Sequence, residues 1–134
     1  MKTWIYRWGP AILLMAIIFL ASATPASDFP GLGSLDLLVK KGGHMIGYAL
    51  LAASYHRALN KRKVITKQHL ALAICLTVLY AASDEWHQSY TPGRNASFLD
   101  IGIDIIGGLI GISAVQWMQR RYSTLHAAAR ADLE

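Results

Sequence analysis

Acidic and basic side chains are sorted to opposite ends of the apolar runs in this sequence, and that sorting admits few folds. Lys2 and Arg7 precede the first run, Arg57, Lys61, Arg62, Lys63 and Lys67 fill the middle loop, and Arg120, Arg121 and Arg130 follow the last run. The other side holds only Lys40, Lys41 and Arg94 among the bases, with Asp28, Asp36, Asp84, Glu85, Asp100 and Asp104 on or near it. In a chain of 134 residues that is 54% hydrophobic, there is too little polar sequence to cover several apolar helices with a water-facing surface. The expected fold class is therefore all-α, a polytopic membrane protein built as a bundle of four transmembrane helices. A formal charge of +5 would suit nucleic acid in a soluble chain. Here the bases lie in short loops where they set topology, so no nucleic-acid partner is expected.

A helix crosses a bilayer with roughly twenty residues at about 1.5 Å each. Residues 4–23, 42–59, 70–86 and 98–117 meet that demand within a single domain covering 1–134, and 118–134 is left as a short cytoplasmic tail that reads as a surface helix or a frayed end. Pro25, Pro30 and Gly31 break the chain after the first segment, and Pro92 with Gly93 does so before the fourth. Trp4, Trp8, Trp86 and Trp117 fall near segment ends, where aromatic rings prefer the headgroup region. Counting bases in alternate loops places both termini in the cytoplasm and the protein in the cytoplasmic membrane, with membrane lipids as its first partners. A competing reading takes Lys2, Arg7, the apolar run to Leu20 and the small residues Ala21 to Ala23 as a cleaved signal peptide. Trp4, Ile5 and Tyr6 lengthen the run toward a full span and favour retention. Cys75 is the only cysteine, which excludes an intrachain disulfide.

The segments are not uniformly apolar: the second admits His44, the third Asp84 and the fourth Asp104. A charge near the bilayer centre costs about 2–4 kcal/mol, so these groups must be sheltered within the bundle or lie near its surface. In KKGGHMIGY, His44 and Tyr48 fall one turn apart on a helix face, with Lys40 a turn earlier and Lys41 beside it. In SDEWHQSYTPGR, Asp84 and Gln88 share a face, Glu85 and His87 flank them, and a Pro-Gly turn returns the chain with Arg94. Asp100 and Asp104 are again four apart, and Gly107, Gly108 and Gly111 follow. If these helix ends belong to one bundle, all three stretches meet on its outer side.

The lysine and histidine opening the second helix, the string SDEWHQSYTPGRNAS, and the paired Asp residues running into DIIGGLIG resemble the VanZ-like family of small membrane proteins. The resemblance extends from about Lys40 to Gly111, and the IFLASATP ending of the first segment is also similar. It implies a multi-pass envelope protein, with the family's namesake linked to resistance to the glycopeptide teicoplanin. It implies no established reaction.

Two classes of function stay open at this point. In the first, His44, Asp84, Glu85 and His87 form a catalytic group in which a carboxylate acts as general base and a histidine shuttles a proton. Lys40, Lys41, Tyr48, Gln88, Arg94, Asp100 and Asp104 would then hold the substrate, an envelope lipid or lipid-linked cell-wall precursor with an anionic group. In the second, the same cluster recognises a lipid head group, an envelope glycolipid or a partner without turnover. Proton or ion passage is weaker, because the cytoplasmic halves of the helices carry few ionisable groups for a relay. Each element also has a plainer role: Asp84 and Glu85 with Arg94 as a structural ion pair, His44 as an interfacial histidine, and the Gly43–Gly47 and Gly107–Gly111 spacings as close helix packing. The spacing of His and carboxylate residues matches no recognised metal motif, no cofactor is demanded, and the oligomeric state is not encoded in any readable way.

Overall fold

Pro25 follows α1 and Pro92 with Gly93 separates α3 from α4, a basic stretch without Pro or Gly separates α2 from α3, and helices form on the apolar runs between these breaks. The computed structural model describes residues 2–25, 36–60, 66–94 and 96–131. These form four helices, α1 (Lys2–Ala23), α2 (Asp36–Leu59), α3 (Lys67–Gln88) and α4 (Phe98–Ala131), with no strand among the described residues. Thr66 caps α3 by accepting a hydrogen bond from the His69 amide at 3.2 Å. The Ser97 hydroxyl accepts from the Leu99 amide at 3.2 Å and starts α4 in the same way. Between α3 and α4, the Arg94 amide donates to the Thr91 carbonyl at 3.1 Å, closing a turn in which Gly93 takes a φ of 74°. That left-handed position after a proline suits glycine alone without strain.

Two boundaries differ from the sequence expectation. Helix α2 begins at Asp36, so Lys40 and Lys41 ride on the helix a turn above His44 instead of preceding it. Helix α4 runs unbroken to Ala131, and what reads as a separate tail continues the fourth segment. Neither Pro nor Gly occurs after Gly111, so nothing in the chain forces a stop.

The helices alternate in direction, and α2 is the hub. It packs on α1, α3 and α4, α3 touches the other three, and α1 and α4 do not meet, which gives a rhombic cross-section. The most extensive pairing is between the parallel helices α2 and α4. Its register is set by glycine. A Cβ on Gly107 would stand 2.3 Å from the Met45 carbonyl oxygen, and one on Gly111 would stand 2.0 Å from that of Ala49. Only residues without a side chain permit the two backbones to come this close. Gly108 sits between Thr77 and Ala52, so the same glycine run also seats α3. The Gly43–Gly47 spacing does not repeat this: nothing lies within 4 Å of a Cβ at Gly43, and Gly47 meets only the Ile18 side chain.

At the end of the bundle away from the acidic cluster, arginines tie α1 to α2. Pro10 lies inside α1 and has no amide hydrogen to give the Tyr6 carbonyl four residues back. Arg57 Nη2 supplies it, donating to the Tyr6 oxygen at 3.1 Å and to the Arg7 oxygen at 3.3 Å. Arg7 in turn donates to the Ala58 carbonyl at the end of α2. A proline that would otherwise weaken the helix thus becomes a docking point.

The interior is small and polar, and the exterior is apolar. Buried positions include Ala11, Ala52, Ala73 and Ala81 with Ser22, Tyr48, His56, Thr77, Asp84 and Asp104. Leu13, Ile17, Ile46, Leu50, Leu79, Ile106 and Ile110 are exposed. Two helices, Lys2–Ala23 and Phe98–Leu125, are long and apolar enough by length and composition to cross a membrane.

Candidate functional site

Because the helices alternate, the C-terminal ends of α1 and α3 and the N-terminal ends of α2 and α4 share one end of the bundle. The polar residues there form two groups, one that joins α1, α3 and α4 by hydrogen bonds and one that lies in the α2–α4 seam.

The first group is built on α3. Asp84 Oδ2 accepts from Ser22 Oγ of α1 at 2.9 Å and from Gln88 Nε2 at 3.0 Å, and Gln88 Nε2 also donates to Ser22 Oγ at 3.1 Å. Arg94 Nη2 donates to the Ala21 carbonyl at 2.9 Å and to that of Thr24 at 3.4 Å, and Nη1 reaches Gln88 Oε1 at 3.4 Å. The guanidinium therefore sits at the C-terminus of α1, where free carbonyls and the helix dipole favour a cation. Glu85 accepts from the Ser97 amide, placing a carboxylate at the N-terminus of α4. Thr91 adds a hydrogen bond to the Ser22 carbonyl at 3.4 Å. Ser22, Thr91 and Ser97 are the members that sequence reasoning passed over. The IFLASATP ending was the available signal for Ser22, and a Ser ahead of the apolar run from Phe98 was the signal for Ser97.

Because Asp84 is buried and serves two donors, Asp84→Ala should strand both. The expected loss of stability is about 1–3 kcal/mol, read as earlier thermal unfolding in detergent. Asp84→Asn keeps an acceptor oxygen and should recover part of the loss. Equal unfolding of wild type and Asp84→Ala would show that the group does not hold α1 to α3.

The second group lies between α2 and α4. Lys41 Nζ pairs with Asp100 at the partly exposed rim. One turn deeper, His44 Nδ1 stands 3.6 Å from Asp104 Oδ1, too long for a hydrogen bond and within reach of an ion pair. Tyr48 follows, its ring stacked 6.2 Å from that of His44, and its hydroxyl lies within electrostatic range of both Asp84 and Asp104. Among the described residues, buried Tyr48 Oη, Asp84 Oδ1 and both Asp104 carboxylate oxygens have no hydrogen-bond partner within 3.5 Å. Unsatisfied buried polar atoms are uncommon, and four on neighbouring side chains mark this as the part of the cluster that the fold does not consume.

Of the residues singled out in the sequence, His44, Tyr48, Asp84 and Asp104 therefore converge on one spot, with Lys41 and Asp100 above them. Lys40 lies on α2, one turn above His44 and half-buried. Gln88, Arg94 and Glu85 share this end of the bundle but are engaged with helix termini. His87 turns toward α1, with its ring 4.4 Å from that of Phe19. Among the described residues, no three His, Cys, Asp or Glu side chains are grouped so as to hold a metal ion.

The fold is all-helical among the described residues, with two helices of the length and composition of membrane spans, an apolar exterior and a buried His-carboxylate pair at one end. The sequence model of the VanZ/LLP1 family matches residues 8–119. The chain belongs to that family. Nothing among curated proteins and nothing among solved structures matches it.

Proposed function

We propose that the chain is a four-span protein of the cytoplasmic membrane with both termini cytoplasmic, and that its outer cluster binds or modifies the head group of an envelope lipid or lipid-linked cell-wall precursor. The observation that carries the chemistry is the set His44, Tyr48, Asp84 and Asp104, in which Tyr48 Oη, Asp84 Oδ1 and both Asp104 oxygens are buried with no hydrogen-bond partner among the described residues, while Asp84 Oδ2 ties α3 to α1. A histidine against a carboxylate is the minimal arrangement for moving a proton to or from a bound hydroxyl or phosphate, with the carboxylate orienting the ring. Lys40 and Lys41 stand a turn above, at the height where an anionic head group would enter. The relevance to glycopeptide resistance that the family resemblance implies belongs to this reading.

Four spans are supported by the outer faces of the two more polar helices. Leu38, Val39, Ile46 and Leu50 on α2 and Leu72 and Leu79 on α3 are as exposed as their counterparts on α1 and α4, a pattern costly in water and favourable in lipid. Exposed Trp86 lies at one end of the bundle, and exposed Trp4 and Trp117 lie at the other. Retention of the first segment is supported by Ser22 and the Ala21 carbonyl, which are built into the cluster. In a Cys75→Ser background, a membrane-impermeant maleimide should label Ser89→Cys in intact cells and Ser123→Cys only after lysis. The reverse pattern would overturn the orientation.

A second reading, a non-enzymatic lipid- or partner-binding module, is favoured by the hydrogen bonds that commit Glu85, Gln88 and Arg94 to helix ends. The two separate on the chemical inventory of the envelope. Comparison of phospholipids and lipid-linked cell-wall intermediates in cells with and without the protein should reveal one phosphate-bearing species that changes in amount. An unchanged inventory, with lipid still co-purifying, would leave the binding module. An unchanged inventory without bound lipid would overturn both.

A further inference from the structure

We propose that the opposite end of the bundle carries a second site, a groove between α2 and α4 that takes the head group of an anionic phospholipid from the inner leaflet. It rests on the four-span reading for which leaflet the groove meets. The groove, open on one side and of about 600 Å³, is lined by Arg57 and Asn60 at the end of α2 and by Met118, Gln119, Arg120, Tyr122 and Ser123 on the extension of α4. Two guanidinium groups from different helices thus border one cavity, and among the described residues no carboxylate lines it. Like charges facing one cavity are best accommodated by an anion between them, and the planar donor fork of arginine matches a phosphate. One nitrogen of Arg57 is committed to the Tyr6 and Arg7 carbonyls, which fixes the side chain at the groove edge while its other N–H groups remain on an exposed residue.

Two further observations favour a lipid over a free phosphate. Asn60, which lines the groove, has no hydrogen-bond partner for Oδ1 among the described residues, an acceptor suited to a hydroxyl or ammonium carried on the same head group. Met118 is exposed, giving one wall an apolar surface continuous with the lipid-facing side of α4. Exposed Trp117, with Arg121 5.1 Å from its ring, marks the headgroup level one residue before the groove begins. The volume falls in the range of small-ligand sites, and basic pockets at the cytoplasmic ends of helices are where anionic head groups gather.

The test is native mass spectrometry of the full chain in neutral detergent, titrated with phosphatidylglycerol or phosphatidylcholine. One phosphatidylglycerol should be retained per chain in preference to phosphatidylcholine, and Arg120→Gln should weaken that retention about fivefold, the effect of one arginine near a phosphate. Lys67→Gln, which removes an exposed base outside the groove, should leave retention unchanged. Equal retention of the two lipids, an equal loss in Lys67→Gln, or displacement of phosphatidylglycerol by soluble glycerol phosphate would each overturn the proposal. Thiol labelling of Ser89→Cys, at the other end of the bundle, reports the side of the membrane independently of the groove, so failure of the groove and failure of the four-span reading are distinguishable.

Discussion

Gly111→Val is expected to keep the bundle from assembling. At Gly111 an added Cβ would fall 2.0 Å from the carbonyl oxygen of Ala49 and 2.6 Å from its carbon, both backbone atoms of the neighbouring helix. A side chain in the way can change rotamer, but backbone cannot, so relief requires α2 and α4 to move apart along their whole contact. Overpacking a core costs about 1–3 kcal/mol when side chains can yield, and a clash with backbone belongs at or above the top of that range. Separation would also pull His44 from Asp104 and Lys41 from Asp100, because all four residues lie on the same seam. The measurement is protease resistance and thermal unfolding in detergent. Gly43→Ala is the matched control: nothing lies within 4 Å of its Cβ, and alanine gains about 0.5–1 kcal/mol over glycine within a helix. Wild-type unfolding of Gly111→Val would refute the close-packed seam.

On the proposed lipid reading, Asp104→Asn and His44→Ala should do the opposite, leaving the fold intact and abolishing the proposed effect on envelope lipid. Asp104 is 1% exposed, and neither of its oxygens has a hydrogen-bond partner among the described residues, so the amide gives up only the 3.6 Å ion pair with His44. Stability should fall by less than in Asp84→Ala, since losing the ion pair with His44 is offset by the desolvation cost that a buried charge no longer carries. Activity on the lipid should fall at least about 100-fold, the size of a lost proton-transfer partner. The contrast with Asp84→Ala is the informative part: one carboxylate is expected to matter for stability, the other for function, although both are buried at the same end. A folded, fully active Asp104→Asn would remove the His-carboxylate pair from the mechanism. Early unfolding of Asp104→Asn would move the residue into the scaffold with Asp84.

Local features of this arrangement are legible in the residue order alone. The four helices follow from apolar runs broken by Pro and Gly in two places and by a basic stretch between α2 and α3, and the turn at Pro92 and Gly93 follows from a proline ahead of a position with positive φ. That Lys40, His44 and Tyr48 share a face follows from helical periodicity. The division of labour among the acids does not. Asp84 and Glu85 are adjacent in sequence, but a 100° turn of the helix sends one toward Ser22 on α1 and the other toward Ser97 at the start of α4. His87, an equal candidate by residue type, falls on the face that meets Phe19.

What the sequence determined by itself is local and periodic: where helices run, which residues share a face, and which end of the bundle gathers the acids. The pairing of helices was decided only in three dimensions. Short connections make sequence neighbours antiparallel, yet the tightest contact joins α2 to α4, two parallel helices separated by a whole helix. The reason is steric. Gly107 and Gly111 lower the backbone of α4 onto Met45 and Ala49 at a depth that residues with a Cβ cannot match, and that approach sets His44 opposite Asp104. Glycine spacing is visible in the chain at two places, but only the bundle selects which one is used.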